Sequence, residues 1–187
     1  MGELMKVLDT PIPDLKVVQS TPHQDARGVF VRFFCAEEIH PLLGHRQIAQ
    51  INHSVTNRIG AVRGMHFQYP PKAEMKMVRC LRGRVWDVAV DLRAGSPTFL
   101  KWHAEELTPS GATMVVIPEG FAHGFQTLEP DSELLYLHTD FYDPASEGGF
   151  RHDDPRLGIT WPLAPQDVSE RDLTHPPLEA HFTGVEL

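Results

Sequence analysis

The chain has 187 residues, 41% apolar and 22% charged, which suits one packed domain, or one with a tail, and excludes a disordered or low-complexity chain. A formal charge of −8 without any basic stripe excludes nucleic acid as a partner, and a small anion would have to be met by local arginines. No stretch approaches membrane-spanning length, residues 1–14 carry no apolar leader core, and the only cysteines, Cys35 and Cys80, lie too far apart for a disulfide framework or a cysteine zinc site. A reduced, cytoplasmic setting away from membranes is expected.

Sixteen prolines and fourteen glycines punctuate the chain, and long helical periodicity is scarce. In chain order, the first helix candidate is 35–44, ending at Gly44 and interrupted by Pro41. Residues 76–99 read as two strands joined by Arg82-Gly83. In the second of these, Val85, Asp87, Ala89 and Asp91 share a polar face, while Trp86, Val88, Val90 and Leu92 share a face that must be buried. Residues 112–128 give a strand, a Pro118-Glu119-Gly120 turn and another strand. In 132–144, Leu134, Tyr136, His138 and Asp140 face one way and Leu135 and Leu137 the other. Beyond Trp161-Pro162 the pattern fades into a proline-rich tail, 163–187, expected to pack on the barrel or a partner with a short helix over 169–173. Many short strands between turn residues predict an all-β sandwich or barrel, with 1–187 as one domain.

Eleven histidines invite a metal reading. Pro118-Glu119-Gly120 followed by His123 resembles the second motif of the cupin family. The earlier segment, His66-Phe67-Gln68 and then Glu74, lacks the second histidine that metal-binding cupins carry. His66, Glu74 and His123 remain three possible ligands, but spacing alone does not make them converge, and no metal site is assigned. Polar groups such as Arg63, His66 and Lys76 on one strand-and-turn segment are costly in a dry core and point instead to a polar-lined cavity.

Seven ordered blocks carry a closer resemblance. They are DARGVF (25–30), QINHS (50–54), VRGMHFQYPP (62–71), residues 76–99, IPEGFAHGF (117–125), YLHTDFYDPASEGG (136–149) and DDPRLGITWP (153–162). Together they resemble the dTDP-4-dehydrorhamnose 3,5-epimerase family over residues 10–175. The resemblance implies a double-sheet jelly-roll barrel of cupin type with a few short helices. It implies a cofactor-free isomerase that inverts C3 and C5 of a nucleotide-linked 4-keto-6-deoxyhexose, in the making of deoxysugar and surface-polysaccharide precursors. By the same resemblance His66 is the base, Asp172 orients it with Asp87 as a rival, Lys76 holds the enolate oxygen and Tyr136 is the proton donor on the other face. Arg27, Gln50, Asn52, Arg63, His123, Glu147 and Arg171 match positions that hold the nucleotide and sugar, and Tyr142 matches an aromatic that stacks on the base. A homodimer with exchanged N-terminal strands is implied, Arg27 reaching the neighbour's site.

Two positions depart from the family pattern. Arg32 stands where relatives carry a glutamate at the nucleotide, and Ile51 where they often carry an aspartate. A nucleobase other than thymine, inversion at one carbon only, and a metal-dependent cupin are the alternatives.

Overall fold

The computed structural model describes residues 4–187, so residues 1–3 of the opening segment lie outside the description. Strands β1 (Met5–Asp9), β2 (Lys16–Ser20), β5 (Gln50–Thr56), β7 (Lys76–Arg82), β10 (Thr113–Ile117) and β12 (Ser132–His138) form one sheet in the order β1-β2-β10-β7-β12-β5. A second sheet, β13-β6-β11-β8-β9, contains β6 (Val62–Gln68), β8 (Val85–Asp91), β9 (Trp102–Leu107), β11 (Phe121–Thr127) and β13 (Glu147–Gly149). A hairpin of β3 (His23–Asp25) and β4 (Gly28–Phe30) belongs to neither. Every named strand pairing is antiparallel. The architecture is the predicted all-β double-sheet barrel of cupin type.

The two sheets enclose an interior that is apolar at one side, where Leu15, Val78, Leu107, Val115, Phe121 and Leu134 meet. Both outer faces are also covered. Leu178, Phe182 and Val185 of the C-terminal segment pack on Val88, Val90 and Leu92 of β8. Ile39 and Leu43 cover Met77, Val116 and Leu137 on the other sheet. Burying each such side chain is worth about 1.5–3 kcal/mol. The face of β8 read as polar is therefore buried as well, with Asp87 1% and Asp91 0% exposed. Alternation places aspartate on the inner face, and pairing makes that burial tolerable: Asp91 accepts from Arg93, Ser96 and Thr98, and Asp87 meets His123.

The helix expected over 35–44 is shorter. Residues 36–39 form turns, and α1 spans only His40–Leu43, closed at Gly44. Pro41 does not interrupt it but sits in the first turn, where a missing N–H leaves no hydrogen bond unmade. The tail helix α2 is Glu170–Leu173, with Ser169 as its N-cap accepting from the Asp172 amide.

One irregularity shapes the interior. Against β11, His66 pairs with His123 while Arg63 pairs with Phe125, so β6 carries an extra residue between them. This bulge breaks the two-residue alternation and lets Arg63 and His66 face the same cavity. Gly64 occupies it at φ 123°, and a Cβ there would lie 2.6 Å from the Gly124 Cα. Only glycine combines that backbone angle with that approach.

Candidate active site

A cavity of about 560 Å³ opens between the sheets. His66, Arg63, His123 and Phe125 line it from one sheet, and Asn52, Ser54, Lys76, Tyr136 and His138 from the other. His66 and Tyr136 thus meet one void from opposite walls.

His66 is held by Asp172, whose Oδ1 lies 2.7 Å from the imidazole Nε2. Asp172 is itself fixed: its Oδ2 accepts the Gly64 amide at 3.1 Å, and it sits in the helix capped by Ser169. Burial alone would raise the Asp172 carboxyl, but the His66 bond and charge, with the Gly64 and Ser169 contacts, hold it below the ordinary carboxylate range. An ionised Asp172 accepts Nε2–H and leaves the Nδ1 lone pair of His66 available as a base. Asp87, the rival partner, is taken by His123, 2.7 Å from its Nε2.

The Tyr136 hydroxyl is 3.0 Å from Ser54 Oγ. Burial pushes its pKa up, so the phenol keeps its proton and is an acid rather than a phenolate. Lys76 Nζ lies 3.7 Å from Glu74 Oε1.

A rim cluster joins four more expected residues. The Tyr142 hydroxyl donates to Glu147 Oε2 at 2.9 Å, Arg171 pairs with the same carboxylate, and the Tyr142 amide donates to Gln50 Oε1 at 2.9 Å. A second cavity of about 400 Å³ shares Arg63 and His66 with the first and adds Arg171 and Ser169. Arg27 stays apart from both: it lies on the β3–β4 hairpin, 91% exposed, bonded to Asp25. Arg32 is no free cation either, because it pairs with Glu38.

The possible ligand set His66, Glu74 and His123 does not converge. Glu74 is turned to His138 and Lys76, and His123 to Asp87. Among the described residues the group with three potential donor atoms within 4.8 Å of one another is His66, Asp172 and His175. His175 lies edge-on to His66, with ring centroids 5.9 Å apart. Sequence reasoning passed over His175, Ser54 and the Asp87–His123 pair. The alternation Gln50, Asn52, Ser54 within QINHS was the one signal that could have found Ser54.

Burial holds three imidazoles, His123, His152 and His175, below their ordinary value of 6.5, against the opposing pull of Asp87 on His123. An unfolded chain takes up protons at these sites near pH 6.5, while the native chain refuses them until lower pH. The unfolded state then binds more protons, so stability is fully present above that value and falls as pH drops below it. The melting temperature of the ligand-free protein is expected to decline from pH 7 toward pH 5, and a flat profile would refute this account of the burial.

A cupin-type barrel with a histidine–carboxylate pair and a protonated tyrosine on opposite walls of a polar cavity defines an acid–base barrel enzyme. The family model for dTDP-4-dehydrorhamnose 3,5-epimerase matches residues 9–180, and the chain belongs to that family of isomerases. It is 39% identical over 178 residues to the dTDP-4-dehydrorhamnose 3,5-epimerase of Salmonella typhimurium, covering 94% of this chain and 97% of that one. It is 41% identical to a dTDP-4-dehydrorhamnose 3-epimerase of Streptomyces niveus, covering 83% of this chain and 76% of that one. Among solved structures, the Legionella pneumophila dTDP-6-deoxy-D-glucose-3,5-epimerase in complex with dTDP-4-keto-L-rhamnose superimposes with a TM-score of 0.89 at 35% identity, covering 97% of this chain and 98% of that one.

Proposed function

We propose that this chain inverts C3 and C5 of a nucleotide-linked 4-keto-6-deoxyhexose of the dTDP-4-dehydro-6-deoxy-D-glucose type. The observation that carries the reading is the single cavity of about 560 Å³ with His66 on one wall and Tyr136 and Lys76 on the other. A ketone acidifies the hydrogens on its neighbouring carbons. The His66 Nδ1 takes such a proton, the imidazolium is stabilised by Asp172, and the electron pair moves into the carbonyl to give an enolate. Lys76 presents its ammonium to the oxygen where charge develops. Tyr136 returns a proton to the opposite face, and the configuration inverts. No electron is gained or lost.

Arg63 and Arg171 supply forked donors to the diphosphate, with Gln50, Asn52, His123 and Glu147 around nucleotide and sugar and Tyr142 against the base. The pairing of Arg32 with Glu38 offsets its charge and supports a thymine nucleotide, while Ile51 remains a departure from the family pattern. We read residues 1–187 as one domain with 163–187 packed on the barrel, and the protein as a homodimer exchanging N-terminal strands. The exposed Val29 and Phe30 of the β3–β4 hairpin, and the distance of Arg27 from the cavity of its own chain, support a hairpin that docks on a second copy. Two free thiols suit a reducing compartment, and we place the protein in the cytoplasm.

The test offers dTDP-, CDP- and GDP-linked 4-keto-6-deoxyglucose in heavy water. Deuterium at both C3 and C5 of the dTDP sugar, with inverted product, is the expected result. Label at C3 alone would narrow the activity to that of a 3-epimerase. Label in none of the three sugars would overturn the reading.

A further inference from the structure

Besides His66–Asp172 and His123–Asp87, a third histidine–carboxylate pair stands at the same cavity with no step assigned to it. His138, only 7% exposed, follows Tyr136 on the inner face of β12. It lies beside Lys76 across one strand pairing and beside Gln50 across the other. Its Nδ1 is 2.9 Å from Glu74 Oε2, and its Nε2 is 3.4 Å from the Asn52 side-chain amide nitrogen. The other oxygen of Glu74 faces Lys76 at 3.7 Å, and Asn52 Oδ1 faces the Gln50 amide at 3.5 Å.

The donor rules order this chain. The Asn52 amide nitrogen can only donate, so His138 Nε2 accepts. A carboxylate beside an ammonium accepts, so His138 Nδ1 carries the proton. The arrangement selects one neutral tautomer of His138, because an imidazolium would set N–H against N–H at Asn52.

We propose that His138 and Glu74 are positioning residues that tie the amides gripping the substrate to the ammonium that holds its ketone oxygen. The inference rests on the epimerase reading of the cavity. Its physical content lies in what His138 prevents. A lysine on a flexible stem beside a lone carboxylate closes into a direct hydrogen bond and loses a donor. Here one oxygen of Glu74 is anchored by His138, and the other stays beyond hydrogen-bond length from Lys76. Glu74 thus aims the ammonium without consuming its donors, which remain for the developing enolate. The same imidazole gives the Asn52 amide a fixed acceptor and so a fixed orientation toward the cavity.

Two measurements test this. The first needs no substrate: nitrogen-15 NMR of the His138 ring at neutral pH. A proton on Nδ1 and none on Nε2 is expected, and the opposite tautomer or a doubly protonated ring overturns the proposal. The second compares His138→Leu with His138→Gln, whose amide can both donate to Glu74 and accept from Asn52. For His138→Leu, kcat is expected to fall about tenfold as Glu74 closes on Lys76, and KM to rise about threefold as Asn52 is released. His138→Gln should recover both to within about threefold of the wild type. A leucine variant with wild-type kcat and KM, or a glutamine variant as impaired as the leucine variant, overturns the relay. Wild-type protein that exchanges no 4-keto sugar but shows the Nδ1–H tautomer would sink the substrate reading and leave the hydrogen-bond order standing.

Discussion

Replacing His66 with alanine is expected to lower kcat by roughly two to four orders of magnitude, the usual worth of a positioned proton-transfer group. The imidazole does two things that no neighbour can repeat. Its ring lines the cavity with Nδ1 free of the Asp172 bond, and a positive charge on it would lie, through Nε2, 2.7 Å from a carboxylate. His123 cannot stand in, since its Nε2 is committed to Asp87 and burial resists its protonation. His175 touches the His66 ring, but burial and the charge on His66 lower its basicity too. Alanine also strips Asp172 of its partner, and an unpaired buried carboxylate destabilises a fold by several kcal/mol. His66→Gln is the matched control, because its amide nitrogen reaches the position of the imidazole Nε2 and can still donate to Asp172. Both variants should lose inversion and deuterium exchange together, measured on protein whose melting temperature has been checked. Retention of wild-type exchange by the folded glutamine variant would remove His66 from the role of base.

Replacing Tyr136 with phenylalanine is expected to separate two events that His66→Gln abolishes together. The ring stays, packed against the interior cluster, so the fold loses only the hydroxyl and its contact with Ser54. Deprotonation by His66 continues, and the imidazole exchanges its proton with solvent and returns deuterium to the face it came from. Inversion needs a donor on the far wall, and burial makes the Tyr136 phenol a group that still holds its proton at neutral pH. Product should therefore fall by about two to four orders of magnitude. Recovered substrate should gain deuterium at C3 or C5 with its configuration unchanged. If label and inversion decline in step, or neither declines, Tyr136 is not the far-side acid.

The strand pattern was legible because alternation has a period of two, and every turn residue interrupts it. β7, β8, β10, β11 and β12 fall where the apolar spacing puts them, and Ser169 marked the start of α2. The helix over 35–44 was overextended because Ile39, Leu42 and Leu43 share an apolar face that turns can bury as well as a helix. The polar face of β8 misled for a related reason. Alternation separates two faces but does not say which of them meets water, and in a barrel whose outside is covered neither does.

The candidate site divides the same way. Residue types and their order along the chain carried the family and nominated His66, Tyr136, Lys76 and Asp172, since those depend only on which side chains are present and in what succession. Their partners were a matter of folding. The bulge at Gly64 turns Arg63 and His66 to one side, a contact spanning 106 positions chooses Asp172 over Asp87 for His66, and Glu38 neutralises Arg32. Glu74, weighed as a metal ligand, became the partner of His138 and Lys76. Such pairings follow from strand register and from where the tail helix docks, and neither is written in the spacing of residues within any one segment.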